Sequence, residues 1–301
     1  MDLSIVIPTR DKWPRLRLTL LSLENVVADY SFEVIIVDDG SEEEIQNKIL
    51  HYAMSCPYTI RIVRNNTPLG RSGARNKGIT ISKADRILFL DDDCLVSPLI
   101  VSEHAGLKVS EIGHGYIFNI PYIKFFEDPV QGFYYAQYAK TRQHDGLKQF
   151  LLTDELISTR FDEIVEKNKK MNSLELLALS VFNSPDCESL RWVGCAGANL
   201  SIPMSICHEI QFDLEYGVRW GAEDLDLGIR LIEAGHSIRL LKNAGVYHMD
   251  HPRENYVEDV EYSFSLLKGK FPYRPEIDLV RQFLLKEITI ESLLLLNKQN
   301  S

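Results

Sequence analysis

Apolar and polar residues come in alternating blocks along the first ninety positions. Leu3-Ser4-Ile5-Val6-Ile7 is a short apolar run stopped by Pro8, which predicts a buried strand followed by a Pro8-Thr9-Arg10 loop. Leu16, Leu20, Leu23 and Val27 then recur at helical spacing behind Pro14, a residue suited to a first helical turn. Glu33 to Val37 predicts a second strand, ending in Asp38-Asp39-Gly40-Ser41. Ser41 and Glu44 read as a capping box for a helix carrying Ile45, Ile49 and Tyr52. Thr59 to Val63 is a third strand, Asn65 to Gly70 a turn-rich loop, Gly70 to Ser82 a helix, and Ile87 to Leu90 a fourth strand. This β-α-β-α-β-α-β order predicts a mainly parallel sheet covered by helices. Ligands of such sheets gather at the carboxyl ends of the strands. Standing there are Thr9-Arg10, Asp38-Asp39, Asn65-Asn66 and Asp91-Asp92-Asp93.

Beyond the fourth strand the pattern loosens. Gly113 to Ile120 and Pro121 to Phe126 read as strands broken by a proline turn, and Asp128-Pro129 opens a helix rich in aromatics, Phe133, Tyr134, Tyr135 and Tyr138. Residues 141 to 190 are polar, with helical stripes at Leu156, Phe161, Ile164 and Val165 and again at Leu174, Leu177, Leu179 and Val181. Arg191 to Pro203 alternates small and apolar residues around Asn199, which suits a close backbone approach or a tight strand crossing. Leu225, Ile229 and Ile232 form a helical face that Gly235 is placed to end. Glu223 and Asp224 therefore fall in the first helical turn, where carboxylates complement the helix dipole and Asp224 stays ionised. Trp220 offers an apolar wall just before them. Ser237 to Leu241 is a short strand, and Gly245 to His251 follows, with His248 the leading metal-ligand candidate and His251 the second. Asn255 to Lys268 reads as one helix and Pro275 to Asn297 as another, with Ile277, Val280, Leu284, Ile288 and Leu295 on one face.

Charge and cysteine usage narrow the class. Lys+Arg is 33 against Asp+Glu 43, a net charge of −10, which argues against nucleic-acid binding and gives no polybasic membrane anchor. The five cysteines form no CxxC pair, so reduced thiols in a cytoplasmic protein are expected. The first residues lack a basic start and a long apolar core, so no signal peptide is expected, and no run of 18 apolar residues predicts a membrane span.

The chemistry concentrates at Asp91-Asp92-Asp93. Three adjacent carboxylates repel unless a cation or a donor-rich ligand sits among them, so a divalent ion held together with substrate phosphates competes with a solvated acidic turn. The first strand-to-helix turn, Pro8 to Lys12, has no GxGxxG, and no P-loop occurs. Asp38 or Asp39 would then accept a hydrogen bond from a base or ribose, and Arg75 would donate to a base carbonyl or a phosphate.

Taken in order, Val6 to Arg10, Val37 to Ser41, Gly70 with Ala74-Arg75-Asn76 and Gly78, Phe89 to Asp93, Gly194 to Asn199 and Trp220 to Leu227 resemble the family 2 glycosyltransferases of GT-A fold, over roughly residues 3 to 250. Trp220-Gly221-Ala222-Glu223-Asp224 also resembles a signature of galactosyl- and N-acetylhexosaminyl-transferases, with Ala222 where a second glycine is usual. The resemblance implies an α/β GT-A fold: a Rossmann-like, mainly parallel sheet with a smaller antiparallel acceptor-side portion and C-terminal helices. It divides the chain into residues 1–250, a transferase domain, and 251–301, a helical extension. Within the first, 1–110 is the nucleotide-binding half, 111–190 a largely helical insertion and 191–250 the acceptor half.

The implied reaction is inverting, Mn2+- or Mg2+-dependent transfer of a sugar from a nucleoside-diphosphate sugar, with UDP the expected nucleotide, to an acceptor hydroxyl. Asp224 is the implied general base and Glu223 its neighbour on a hydroxyl. Pro8, Thr9, Arg10, Asp38, Asp39, Arg75, Asp91, Asp92 and Trp220 are implied at the donor, and Asp93, Asp91 and His248 at the metal. A retaining transferase and a non-catalytic nucleotide-sugar-binding or scaffold module are the alternatives. The acceptor is left open among glycan, lipid-linked, peptide and small-molecule classes. The C-terminal helix is expected to pack on the domain, with homodimerisation or peripheral membrane docking as further options.

Overall fold

A computed structural model of the chain describes residues 1–120, 152–251, 253 and 255–300. Four strands, β1 (Leu3–Thr9), β2 (Phe32–Asp38), β3 (Ile60–Arg64) and β4 (Arg86–Leu90), pair in parallel as 3-2-1-4 and are linked by α1 (Trp13–Leu23), α2 (Glu43–Ser55) and α3 (Gly70–Ile81). Their residues alternate between two cores: Leu3, Ile5, Ile7, Val34 and Ile36 pack on one face, Val6, Ile35, Val37, Ile87 and Phe89 on the other. That two-faced burial is why these strands read as nearly continuous apolar runs. Full burial of each Leu or Ile contributes about 1.5–3 kcal/mol.

The chain then adds β5 (Cys94–Val96), α4 (Ile100–Ala105), β6 (Ile112–Ile120), α5 (Asp154–Thr159), α6 (Phe161–Lys167), α7 (Ser173–Phe182), β7 (Asn199–Pro203), α8 (Met204–Glu209), α9 (Glu223–Glu233), β8 (Ile238–Met249), α10 (Tyr256–Lys270), α11 (Glu276–Leu284) and α12 (Ile290–Asn300). Among the described residues the strands form one sheet in the order β3-β2-β1-β4-β7-β6-β8-β5. β7 joins β4 antiparallel, so the parallel half passes into a mixed half. The fold is the expected α/β arrangement.

The C-terminal helices share one core with α7 and α9: Val181, Trp192, Leu225, Ile229, Val260, Phe264, Val280 and Leu293 lie in a single cluster. Among the described residues no helix is long and apolar enough to cross a membrane.

Three local expectations are corrected, and one strand was missed. The Ser41–Glu44 capping box does not form, because the Ser41 hydroxyl accepts from the Asp11 N–H and the Glu42 N–H donates to Asp11 Oδ1. The short strand Cys94–Val96 escaped prediction, since three residues carry too little period to read. The strand expected at Ser237–Leu241 runs on as β8 to Met249. The single helix expected from Pro275 to Asn297 is two, α11 and α12, parted at Lys286, whose φ is 62°. The strand expected at Pro121–Phe126 and the aromatic helix after Asp128 lie outside the described residues.

Candidate active site

The carboxyl ends of β1, β2 and β4 line a cavity of about 280 Å³, walled by Thr9, Arg10, Asp39, Arg71, Asp92 and Asp93 among others. Pro8 and Lys12 also border it. A second cavity of about 450 Å³ adjoins, and Arg71, Asp91 and Trp220 line both. Glu223, Asp224, His248 and His251 face the second.

Each member of the aspartate triplet has a different environment. Asp91, part-exposed, accepts from Arg75 Nη2 at 3.0 Å. Asp92 turns the other way and accepts from Thr9 Oγ1 at 2.6 Å. Burial first, and the Asp93 charge beside it, push the Asp92 carboxyl up to about 7. Asp93 is buried, with His251 Nε2 at 3.4 Å, His248 Nε2 at 3.5 Å and Arg15 Nη1 at 3.9 Å from its Oδ2. Burial acts to raise the Asp93 carboxyl, but the two imidazoles outweigh it and hold the group well below the usual carboxylate range.

Strand pairing builds this cluster. β5 meets β8 with Cys94 opposite His248, and the Met249 N–H donates to the Asp93 carbonyl at 2.8 Å. One carboxylate and two imidazoles therefore present ligand atoms within 4.8 Å of one another. Mixed oxygen and nitrogen donors of this kind fit a divalent transition ion better than Mg2+, which prefers oxygen. His251 belongs to this set, although its position before Pro252 made it the weaker candidate in sequence, and Asp91 is turned to Arg75 instead.

Glu223 and Asp224 come from the first turn of α9. Glu223 is buried, its Oε1 accepts from Arg75 Nη1 at 2.9 Å, and among the described residues its Oε2 has no hydrogen-bond partner. Asp224 Oδ2 accepts from the Gly197 N–H at 3.2 Å. Burial, then the neighbouring Glu223 charge, push the Asp224 carboxyl up to about 7. Gly197 is required by packing: a Cβ there would lie 2.6 Å from the Arg75 guanidinium carbon. Arg75 itself is buried over the Phe212 ring at 5.1 Å, and Asp91 and Glu223 keep it charged against the effect of burial.

Asp38 and Asp39 divide. Asp38 is fully buried, accepting from the Ser41 N–H at 2.8 Å and Arg64 Nη1 at 2.9 Å. Asp39 accepts from Asn65 Nδ2 and from the Leu69 and Gly70 N–H groups, so it caps α3 from a neighbouring strand while its outer edge reaches the first cavity. Gly70 has φ 76° and no room for a side chain, since a Cβ would meet the Gly217 carbonyl oxygen at 1.9 Å. Asn199 is a buried tie behind the site: its Nδ2 donates to the Ala244 carbonyl at 2.6 Å, and its Oδ1 lies 2.9 Å from His104 Nε2. Trp220 packs against Tyr256, with centroids 5.5 Å apart, and carries the Arg253 guanidinium 4.2 Å over its ring.

Residues 4–124 match the family model described as Glycosyl transferase family 2. The chain is 24% identical over 288 residues to the uncharacterized glycosyltransferase YfnE of Bacillus subtilis, over 90% of this chain and 71% of that one. It is 27% identical over 286 residues to the hyaluronan synthase of Pasteurella multocida, over 91% of this chain but 27% of that longer protein. Among solved structures, S. aureus TarS 1–349 in complex with UDP-GlcNAc has a TM-score of 0.54 at 14% identity, over 94% of this chain and 73% of that one, a likeness of fold. The relatives that run along nine-tenths of the chain and the shared architecture agree with the match over residues 4–124: the chain has the GT-A fold, and its N-terminal part matches glycosyltransferase family 2.

Proposed function

We propose that the chain transfers a sugar, with inversion, from a UDP-sugar to an acceptor hydroxyl, with Asp224 as general base. The observation that carries this reading is Asp224 itself: a carboxyl pushed up to about 7, on the wall of a cavity that Asp91 also lines. A base works best when its pKa lies near the working pH. The UDP-GlcNAc-bound TarS neighbour supports uridine as the donor base.

In this reading the first cavity takes the nucleoside, with Pro8, Thr9, Asp39 and Arg10 around it and Arg71 near the diphosphate. Asp38 and Asp92 act from behind, positioning the loops that bear these groups. Asp93, His248 and His251 would hold a divalent ion, Mn2+ in preference to Mg2+, which supplies positive charge for the departing diphosphate. The acceptor oxygen bonds to the anomeric carbon as that carbon's bond to the phosphate oxygen breaks. The electron pair leaves on UDP, and the acceptor proton passes to an Asp224 oxygen. Glu223 Oε2, buried and without a hydrogen-bond partner among the described residues, receives a hydroxyl of the acceptor or donor sugar.

Residues 1–110 serve as the donor half, 191–250 as the acceptor half and 251–301 as a helical extension that braces it. The free thiols suit a reducing compartment such as the cytoplasm.

The test is donor hydrolysis and transfer across a panel of UDP-, GDP- and dTDP-sugars with Mn2+, with the product anomer read by NMR. Release of UDP with an inverted product is expected. A retained anomer would remove Asp224 as the base, and no turnover of any donor would favour a binding module.

A further inference from the structure

The acceptor-side cavity is lined by four cations, Arg71, Arg75, Arg253 and Lys286, against four carboxylates, Asp91, Glu223, Asp224 and Asp250, and Arg75 is tied to two of these. The donor cavity has Arg10, Lys12 and Arg71 for a diphosphate. The acceptor cavity adds Arg253 and Lys286, which do not line the donor cavity. Among the described residues neither makes an ion pair with a carboxylate. The Arg253 guanidinium lies over the Trp220 ring, at the border between the two cavities, and Lys286 stands on the wall contributed by the C-terminal helices.

Lys286 is also conformationally out of place. The Lys286 N–H donates to the Phe283 carbonyl and the Glu287 N–H to the Gln282 carbonyl, the paired bonds of a Schellman motif that ends α11. Its φ of 62° is left-handed, a region that favours glycine. The same motif ends α9, where the Gly235 N–H donates to Ile232 and the His236 N–H to Leu231, and there the left-handed residue is glycine. At α11 the chain keeps a long cation in the glycine position, and that cation lines the acceptor cavity. A local preference overridden at a site edge points to a role for the side chain.

We propose that the acceptor is a glycan bearing an anionic group, a carboxylate or a phosphate, and that Lys286, with Arg253 beside the donor, receives it. The inference rests on the transferase reading and names its acceptor class. Trp220 and Tyr256 supply the apolar wall for a sugar ring, and Lys286 the charge that selects among rings.

The experiment is calorimetric binding, with UDP present but no donor sugar, of three oligosaccharides of one backbone: one neutral, one ended by a uronic acid and one by a phosphomonoester. The wild type is expected to prefer at least one anionic form over the neutral one by about tenfold, with the preference weakening in high salt. The better of the two anionic arms identifies carboxylate or phosphate. Lys286→Gly is expected to keep or raise the melting temperature, because it restores the residue that the turn favours, while removing most of the preference. Lys286→Glu should reverse the preference without loss of neutral binding. Equal binding of all three glycans by the wild type, or an unchanged preference in Lys286→Gly, overturns the proposal. Binding is read without turnover, so absence of donor hydrolysis in the wild type would count against the transferase reading alone.

Discussion

Arg75 donates to Glu223 across 148 residues of sequence, Nη1 to Oε1 at 2.9 Å, while its other nitrogen reaches Asp91 at 3.0 Å. One buried guanidinium thereby ties the end of β4 to the first turn of α9. The fork geometry is what lets one side chain serve two carboxylates at once. Arg75 lines the acceptor cavity and not the donor one, so its place between the two proposed halves is that of a strut.

Arg75→Ala should therefore destabilise by about 3–5 kcal/mol, since it leaves two carboxylates without their partner. Arg75→Lys keeps the charge and loses one of the two contacts. We expect it to fold, with kcat lower by about a hundredfold and donor KM changed less than about threefold, because misplacement alone has effects of this order. Steady-state kinetics decides the matter. A rise in donor KM that accounts for the whole loss would put Arg75 on the nucleotide instead.

Asp224 has two pH signatures. As the base it must be ionised, so kcat should rise with pH along an acid limb centred near 7, where burial and Glu223 have moved its carboxyl. Asp224→Asn should lower kcat by about 10²–10⁴ and abolish that limb. For stability the sign is opposite. The folded-state pKa lies above the ordinary value of 3.8, so Asp224 favours folding in its protonated form, and that contribution is lost progressively as pH rises from 3.8 to about 7. Melting curves should show Asp224→Asn gaining on the wild type by a few degrees at about pH 8 and losing the advantage near pH 4. A pH-independent difference would mean that Asp224 titrates normally.

The first four strands and their helices were legible because each is a buried apolar run or a helical stripe with a clear stop, and both faces of each strand meet helices. The triplet at the end of β4 and the Glu223-Asp224 pair were legible as chemistry for the same reason: carboxylates at the end of a buried element stand out. What escaped was long-range. Nothing local to Arg75 says that it reaches Glu223, and nothing local to His251 says that β5 and β8 carry Asp93 to it. The break at Lys286 was illegible because a helical apolar stripe continues through it, from Leu284 to Ile288, and the residue in the left-handed position is not glycine.

The triplet should respond unevenly to substitution, though not quite as its sequence suggests. In the solvated acidic turn that the sequence leaves as the alternative, Asp92 would have no fixed partner. Its bond from Thr9 at 2.6 Å changes that: Asp92→Ala strands the Thr9 hydroxyl and should cost about 1–3 kcal/mol, while Asp92→Asn, which can still accept, should be near neutral in both stability and kcat. Asp91→Ala frees one arm of Arg75 and should lower kcat and donor affinity together. Thermal melts and donor titrations separate these effects, and equal tolerance of all three alanines would return the stretch to an acidic turn.

Metal dependence gives the sharpest division between His248 and His251. Both imidazoles lie within 3.5 Å of Asp93 Oδ2, and both must be neutral to bind a cation. Burial acts against charging His248, but Asp93 outweighs it, so in the metal-free protein its pKa is raised and protons compete with the ion. Mn2+ affinity, followed by electron paramagnetic resonance of free Mn2+, should fall about tenfold for each pH unit below the imidazole pKa. His251→Ala should weaken Mn2+ binding by about tenfold or more and His248→Ala by at least as much, while Asp93→Ala should remove it. Because two of the three donors are nitrogen, Mg2+ should replace Mn2+ poorly in the wild type and comparatively better in His251→Asp, whose third donor is oxygen. If His251→Ala binds Mn2+ as the wild type does, the third ligand is not His251 and the cation is held by the aspartates with His248 alone.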